Sequence, residues 1–274
     1  MILINYLKST ILSKFVMAVT GIILVLFIIG HCIGNMQLFI GRESFNSYAY
    51  FLQERIGELL WIMRIGLILS LIFHVVTSIR LKFLNLGAKP KKYEVKNYVK
   101  AKLTSRTMIW TGIMIFAFVT YHILQFTTGT IYPGDYNRTD YYTTNAMSVK
   151  KLGSDECCTK SREATAKDAI INYRGNQYET AGNHPIISER HDAYGMVIHG
   201  FRRPIVAILY IIGMILLGFH LNHAIQSAFQ TLGYNNPKYF NKIVVGSTVL
   251  STLIVLCFIS LPITIIFGLV GGGV

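Results

Sequence analysis

Five stretches of this chain are apolar over lengths that few soluble helices sustain: about 14–40, 58–80, 106–130, 203–230 and 243–270. A bilayer core takes about 20 apolar helical residues to cross, and each stretch reaches that length. Charges inside them are few: Lys14 at an edge, Arg64 in the second, and Arg106 and Arg203 at boundaries. An open strand in lipid would leave backbone N–H and C=O groups unpaired, whereas a helix satisfies them internally. The expected architecture is therefore an all-α membrane protein: one domain over 1–274, built as a bundle of five transmembrane helices. The composition agrees, with 52% hydrophobic and 14% charged residues, well to the apolar side of an average soluble domain. The uncharged run from Phe15 to Gly41 is too long for the apolar core of a cleaved signal, so it is expected to remain as the first span.

The basic residues predict an orientation. The connection after the second block carries Arg80, Lys82, Lys89, Lys91, Lys92, Lys96, Lys100, Lys102 and Arg106 against Glu94 alone. Lys238 and Lys242 fall in the short connection after the fourth block, and Lys8 and Lys14 lie at the N-terminus. With five spans all three groups share a side, which the positive-inside rule makes cytoplasmic. The N-terminus is then cytoplasmic and the C-terminus outside. The net charge of +13 reads as a topology signal with attraction to anionic lipid. Nucleic acid is not an expected partner, because no recognition motif accompanies the charge. The long outer loop, about 131–198, holds eight Lys/Arg and nine Asp/Glu and is nearly neutral. Within it, Glu189 to Phe201 could form an interfacial helix. Cys157 and Cys158 are sequence neighbours and Cys32 and Cys257 lie in spans, so no disulfide framework is expected. No internal repeat is evident.

Four spans each enclose a histidine: His31, His74, His122 and His220. An ionisable group at such depth points to function, and neutral imidazole is a natural axial ligand for haem iron. At about 1.5 Å per residue, His31 and His122 fall toward the outer side, each about 25 Å from the inner end of its span. His74 and His220 fall toward the inner side or middle. The depths pair His31 with His122 and His74 with His220, with two cofactors stacked about 10–15 Å apart. A single buried histidine is more often a hydrogen-bonding residue between helices; four at paired depths strain that explanation. A closed zinc site would want four ligands at one depth. His223, one turn from His220, could compete as a ligand but ranks as a packing residue. Gly30, Gly34, Gly66, Ser70 and Gly218 lie near these histidines and suit either a flat macrocycle or close helix packing. Arg64 is the candidate partner for the propionates of an outer haem and Arg80 for those of an inner one, with Lys102 or Arg106 as alternatives. Each could instead be a snorkelling anchor. Arg202 and Arg203, at an outer boundary, could bind an anion.

The order and spacing of several short segments resemble the cytochrome b membrane subunit of succinate:quinone oxidoreductases, the succinate dehydrogenase and fumarate reductase family, in its single-subunit di-haem form. The segments are Ser13-Lys14-Phe15-Val16-Met17-Ala18-Val19-Thr20-Gly21, His31-Cys32-Ile33-Gly34-Asn35, Phe73-His74-Val75-Val76 and Tyr121-His122. The most specific is Gly218-Phe219-His220-Leu221-Asn222-His223-Ala224, followed by Ser227 to Gly233. The resemblance covers nearly the whole chain. It implies two b-type haems, an outer one held by His31 and His122 and an inner one held by His74 and His220. It also implies a flavoprotein and an iron–sulfur partner on the cytoplasmic face, electron exchange with a quinone (commonly menaquinone), and a bacterial cytoplasmic membrane. The chain itself has no dinucleotide fingerprint and no cysteine array for clusters, so succinate chemistry is expected elsewhere in the complex. It departs from some relatives at Gly218, where they carry a proton-moving glutamate, and in its long outer loop.

For the quinone reaction the expected proton-handling candidates are Gln37, Asn46, Glu54 and Glu58, with Glu54 first by analogy with the family. Competing readings are a cytochrome b serving another dehydrogenase, and a haem-free transporter relaying protons through its histidines. A purely structural anchor would not need paired histidines.

Overall fold

The computed structural model describes residues 9–88, 106–143, 149–151, 168–173, 176–181 and 187–272. Lys8, Glu94, Lys89 to Lys102 and the Cys157-Cys158 pair lie outside the described residues. Five helices are long and apolar enough to cross a membrane: α1 (Thr10–Ile40), α3 (Gly57–Gly87), α4 (Met108–Phe126), α7 (Pro204–Thr231) and α8 (Pro237–Ile266). Between α1 and α3 lie the short helix α2 (Arg42–Tyr50) and a single π-helical turn, Phe51–Arg55. Between α4 and α7 come the one-turn α5 (Pro133–Tyr136), five strands and α6 (Ala193–Phe201). The protein is a multi-pass helical membrane protein.

Local chemistry sets the helix ends. Ser9 caps α1 by accepting from the Leu12 N–H at 3.4 Å, and Asn236 caps α8 by accepting from the Lys238 N–H at 2.9 Å. Pro204 and Pro237 open α7 and α8, where the missing N–H costs nothing. Gly41, at φ +129°, adopts a backbone region that favours glycine and turns the chain from α1 into α2. Two boundaries differ from expectation. Lys238 and Lys242 lie within the first turns of α8, because Asn236 and Pro237 start the helix earlier than the apolar run. Arg80 and Lys82 are also helical, since α3 continues to Gly87 beyond the apolar block. Long basic side chains permit this by carrying their charge to the surface.

The bundle is inverted relative to a soluble one. Its exposed residues include Trp61, Ile62, Ile65, Ile68 and Phe73 on α3, whereas Ala18, Thr20, Gly34, Ser70, Ser247 and Ser251 are buried at helix contacts. Hydrocarbon supplies no hydrophobic drive for helices to associate, so close packing of small residues and polar bonds hold them together. Asn222 donates to Thr248 at 2.8 Å and Gln226 to Ser247 at 2.9 Å, joining α7 to α8. Gly218 belongs to the same contact, since a Cβ there would lie 2.5 Å from Val255. Helical hydroxyls such as Thr20 and Thr77 donate back to carbonyls one turn earlier and so remain satisfied in lipid.

One end of the bundle, the loop end, carries everything between the spans on that side. Strands β1 (Thr139–Thr143) and β5 (Ile187–His191) pair antiparallel, with Thr139 opposite His191. Strands β2 (Val149–Lys151), β3 (Asp168–Tyr173) and β4 (Asn176–Ala181) form a second antiparallel sheet, ordered β2-β4-β3. The expected interfacial helix over Glu189 to Phe201 is in fact strand to His191 and helix only from Ala193, where Asp192 caps it. That helix is buried along almost its whole length. Tyr194, Ile198 and Phe201 pack with Leu38, Phe45 and Leu261 to form the core of the loop end.

The expectation of no disulfide is overturned within the spans. Cys32 on α1 and Cys257 on α8 are disulfide-bonded, with Cα atoms 6.7 Å apart. Residence in separate spans does not keep two cysteines apart when those spans are neighbours, and the linear sequence does not show that the first and last spans touch.

Candidate functional site

The four spanning histidines meet in two pairs at two levels. The His31 and His122 ring centroids are 5.8 Å apart and those of His74 and His220 are 6.5 Å apart. His31 comes from α1, His122 from α4, His74 from α3 and His220 from α7, so four helices converge on two points. Each histidine of the His74–His220 pair sits in the same way against a helix that supplies a histidine to the other pair. A Cβ on Gly21 of α1 would lie 3.3 Å from the His74 Cε1, and one on Gly112 of α4 would lie 3.5 Å from the His220 Cε1. The preceding threonine touches the same ring in both cases: Thr20 Oγ1 is 3.5 Å from His74 Nδ1, and Thr111 Oγ1 is 3.3 Å from His220 Nδ1.

This exposes a repeat that the sequence reading missed. Thr20-Gly21 is followed by His31, and Thr111-Gly112 by His122, with nine residues between glycine and histidine in both cases. Each of these two helices gives its histidine to one pair and, ten residues earlier, its Thr-Gly notch to the other. Ten residues of helix separate the two levels by about 15 Å. Signals this short gain meaning only when both copies are set beside the histidines. The glycines singled out from sequence act elsewhere: Gly34 makes room for Tyr48 and Gly218 for Val255, while Gly30 and Gly66 border open space.

Hydrogen bonds fix which ring nitrogen is available. His122 Nδ1 lies 3.3 Å from the Tyr210 hydroxyl, which itself donates to Gln125 Oε1 at 3.1 Å. With its hydrogen committed to Gln125, the hydroxyl accepts from Nδ1–H, leaving the His122 Nε2 lone pair free. His74 Nδ1 lies 3.2 Å from the Met17 carbonyl, which can only accept, so its Nε2 is likewise the basic nitrogen. Thr111 Oγ1 already donates to the carbonyls of Thr107 and Met108, and so accepts from His220 Nδ1–H. Such bonds at the second nitrogen orient a metal-binding imidazole. His31 is held by rings: Phe27 stacks on it at 5.4 Å and Phe258, beside Cys257, lies 5.8 Å away.

The donor set fits a bis-histidine haem at each level. An imidazole nitrogen about 2 Å from a metal places its ring centre about 1 Å further out, so two rings on opposite sides of one iron stand about 6 Å apart. Both observed separations lie close to that value. Gln125 adds a buried Nε2 with no hydrogen-bond partner, a donor suited to a carboxylate oxygen. Among the described residues, no cluster of three or more His, Cys, Asp or Glu is gathered as a multi-ligand ion site would require. The second-nitrogen partners should matter measurably. If the two pairs hold haem, Thr111→Val and Tyr210→Phe would each weaken its binding at one level by about 10–100-fold. Titration of the purified protein with haem reads this, with Thr111→Val acting at the His74–His220 level and Tyr210→Phe at the other.

The remaining expected residues take varied places. Arg64 stacks over the Trp61 ring at 5.1 Å, about 10 Å along α3 from its start. Arg80 donates to the buried Ser13 hydroxyl, joining α3 to α1. Arg203, expected as an anion site, is paired with Asp135 and lies over the Tyr132 ring at 4.1 Å, so its charge is already answered. Arg202 donates to the Gly271 carbonyl at 2.9 Å. Among the quinone candidates, Gln37 accepts from Ser44 at 2.6 Å and Glu58 is exposed at the start of α3. Glu54, also exposed, lines an open groove of about 580 Å³ at the loop end.

Asn46 belongs to a different construction. It is 0% exposed and donates to Asp140 and to Asp192, both at 2.9 Å, while its carbonyl accepts from the Tyr194 N–H at 2.8 Å. All its polar capacity near the backbone is thus spent on structure. Around it Arg42 pairs with Asp192 at 2.6 Å, and Arg190 pairs with Glu43 at 2.6 Å and Asp140 at 2.8 Å. Burial disfavours the Arg190 charge, but the two carboxylates outweigh it and hold its pKa above the usual value. This hub fastens the inserted segment to α2.

No known protein family, curated protein or solved structure matches the chain.

Proposed function

We propose that this chain is the di-haem cytochrome b membrane anchor of a succinate dehydrogenase or fumarate reductase complex. It would carry electrons between an iron–sulfur partner and a membrane quinone, menaquinone by analogy with two-haem relatives. The observation that carries the reading is the meeting of four imidazoles as two facing pairs, one above the other, with Nδ1 bonds that leave Nε2 basic. His31 and His122 would hold one haem and His74 and His220 the second; the haems supply one-electron redox chemistry across the bundle. Arg64, Gln125 and Arg80 are the polar groups suited to propionates near the two levels. The rings of Phe27, Phe126 and Phe258 pack around His31 and His122 and give that level an apolar wall.

In this reading the end of the bundle with Arg80 and Arg106 faces the cytoplasm of a bacterial cell, an orientation that its basic residues support, and the flavoprotein and iron–sulfur partners would dock there. The His74–His220 haem is then the inner one, and the loop end with Glu54 is where quinone would react. An anaerobic redox titration of the purified protein tests this. Two b-type components per chain with separate midpoint potentials, and succinate- or fumarate-linked turnover with co-purified partners, are expected. A colourless protein from haem-replete cells would favour the transporter reading, and partners with another substrate would favour a different dehydrogenase.

A further inference from the structure

The groove beside Glu54 has a second wall, and it is built from the inserted segment. Glu54, Gln53 and Tyr50 form one side, from α2 and the π-helical turn; Arg138 and His191 come from the other, with Arg190 beneath them. Thr139 and His191 face one another at the end of the β1–β5 ribbon, and the Asp192 N–H donates to the Arg138 carbonyl at 2.9 Å. Arg138 and His191 are thereby anchored to one rigid piece of backbone. That piece is fastened to α2 through Arg190, Asp140, Asp192 and Asn46.

Two observations mark this wall as more than packing. The Arg138 Nε is buried yet has no hydrogen-bond partner, an expensive condition for a guanidinium N–H. The His191 ring rests on Tyr136, with centroids 5.1 Å apart, which leaves its nitrogens as the chemically useful atoms at the groove. A quinone headgroup presents two carbonyl oxygens on opposite edges of one ring. It therefore needs hydrogen-bonding groups on both sides, and Glu54 alone serves one.

We infer that the inserted segment completes the quinone site, with His191 and Arg138 engaging the carbonyl opposite the one served by Glu54. This rests on the quinone reading proposed above and adds residues that lie outside the spanning bundle. The reaction balances as hydroquinone giving quinone, two protons and two electrons. One proton passes to the His191 imidazole and one to the Glu54 carboxylate, and the two electrons would pass to the haems that the two histidine pairs would hold. In the reverse direction the same groups return the protons. Arg138 carries no proton in this scheme; its N–H groups hold the oxygen and stabilise the anion formed when the first proton leaves.

Burial keeps the His191 pKa below its ordinary 6.5, opposed by the nearby Asp192 charge. The imidazole is accordingly neutral at pH 7 and able to accept a proton. The charged and titratable groups around it are Glu54, Arg138, Arg190, Asp192 and Tyr136. Menadiol oxidation should fall as pH drops through the lowered His191 pKa, and that limb should vanish in His191→Gln.

The test uses the full chain in detergent, with menadione as the binding probe measured by calorimetry and menadiol as the reductant. His191→Gln and Arg138→Gln are each expected to weaken menadione binding about tenfold or more, the scale of one lost hydrogen bond to a charged or strongly polar group. The haem absorption spectrum should be unchanged in both. Glu54→Gln should weaken binding less but abolish turnover. A haem-loaded wild-type protein that oxidises menadiol, alongside variants that bind menadione normally with an unaltered pH profile, overturns this inference and leaves the anchor reading intact. A wild-type protein lacking both haem and quinone turnover overturns the anchor reading itself.

Discussion

On the proposed di-haem reading, replacing His31 or His122 by alanine is expected to abolish one b-type haem and leave the other spectrally intact. Replacing His74 or His220 should remove only the second. The reason is the separation of the two levels: about 15 Å of helix lies between them, and each pair has its own hydrogen-bond partners. Haem content per chain should fall from two to one, and the potential that disappears identifies the level. Axial coordination contributes far more than any single packing contact, so partial occupancy is not the expected result. If His31→Ala removed the same haem as His74→Ala, the pairing read from ring separations would be wrong. The second expectation within this series is electrical. With either haem missing, menadiol should no longer reduce the acceptor at the opposite end, even though the protein still folds.

Asp192→Ala is expected to be the most destabilising single change outside the spans. Asp192 pairs with Arg42, accepts from Asn46 and caps α6 through the Gly195 N–H at 3.0 Å. Removing a partner from a buried pair leaves the other charge uncompensated, at a cost of about 3–5 kcal/mol. The lost cap adds about 1 kcal/mol. Thermal unfolding in detergent should shift down by roughly 10 °C. Asp192→Asn, which keeps the cap acceptor and the volume but also leaves Arg42 unpaired, should lose most of the same amount and recover only the cap contribution of about 1 kcal/mol. A much smaller loss in Asp192→Asn would show that the charge is not what matters, and an unchanged midpoint for Asp192→Ala would remove the hub from any account of how the insert is held.

What could be read from the chain follows the range of the interactions involved. The spans were legible because bilayer thickness imposes a length on every apolar run, and that constraint is local in sequence. Which histidines meet was legible for the same reason, since helical rise converts residue number into depth. The lateral arrangement of helices was not. Cys32 and Cys257 find each other only because α1 and α8 are neighbours, and Gly21 and Gly112 border imidazoles only because α3 and α7 lean on those faces. Asn46, expected near quinone, serves instead as the centre of an ion-pair network in which Asp140, Arg190 and Asp192 lie more than ninety positions away. Arg138 and His191 were missed because a ribbon register, invisible in a polar loop, brings them to the groove.

The Cys32–Cys257 bond closes a covalent circuit through 225 residues, joining the first rod of the bundle to the last. Detergent strips away the lateral squeeze of a bilayer, and helices held by shallow contacts then drift apart. Here the outermost members stay tethered beside His31, so the upper imidazole keeps its neighbours when the surrounding solvent no longer presses them together.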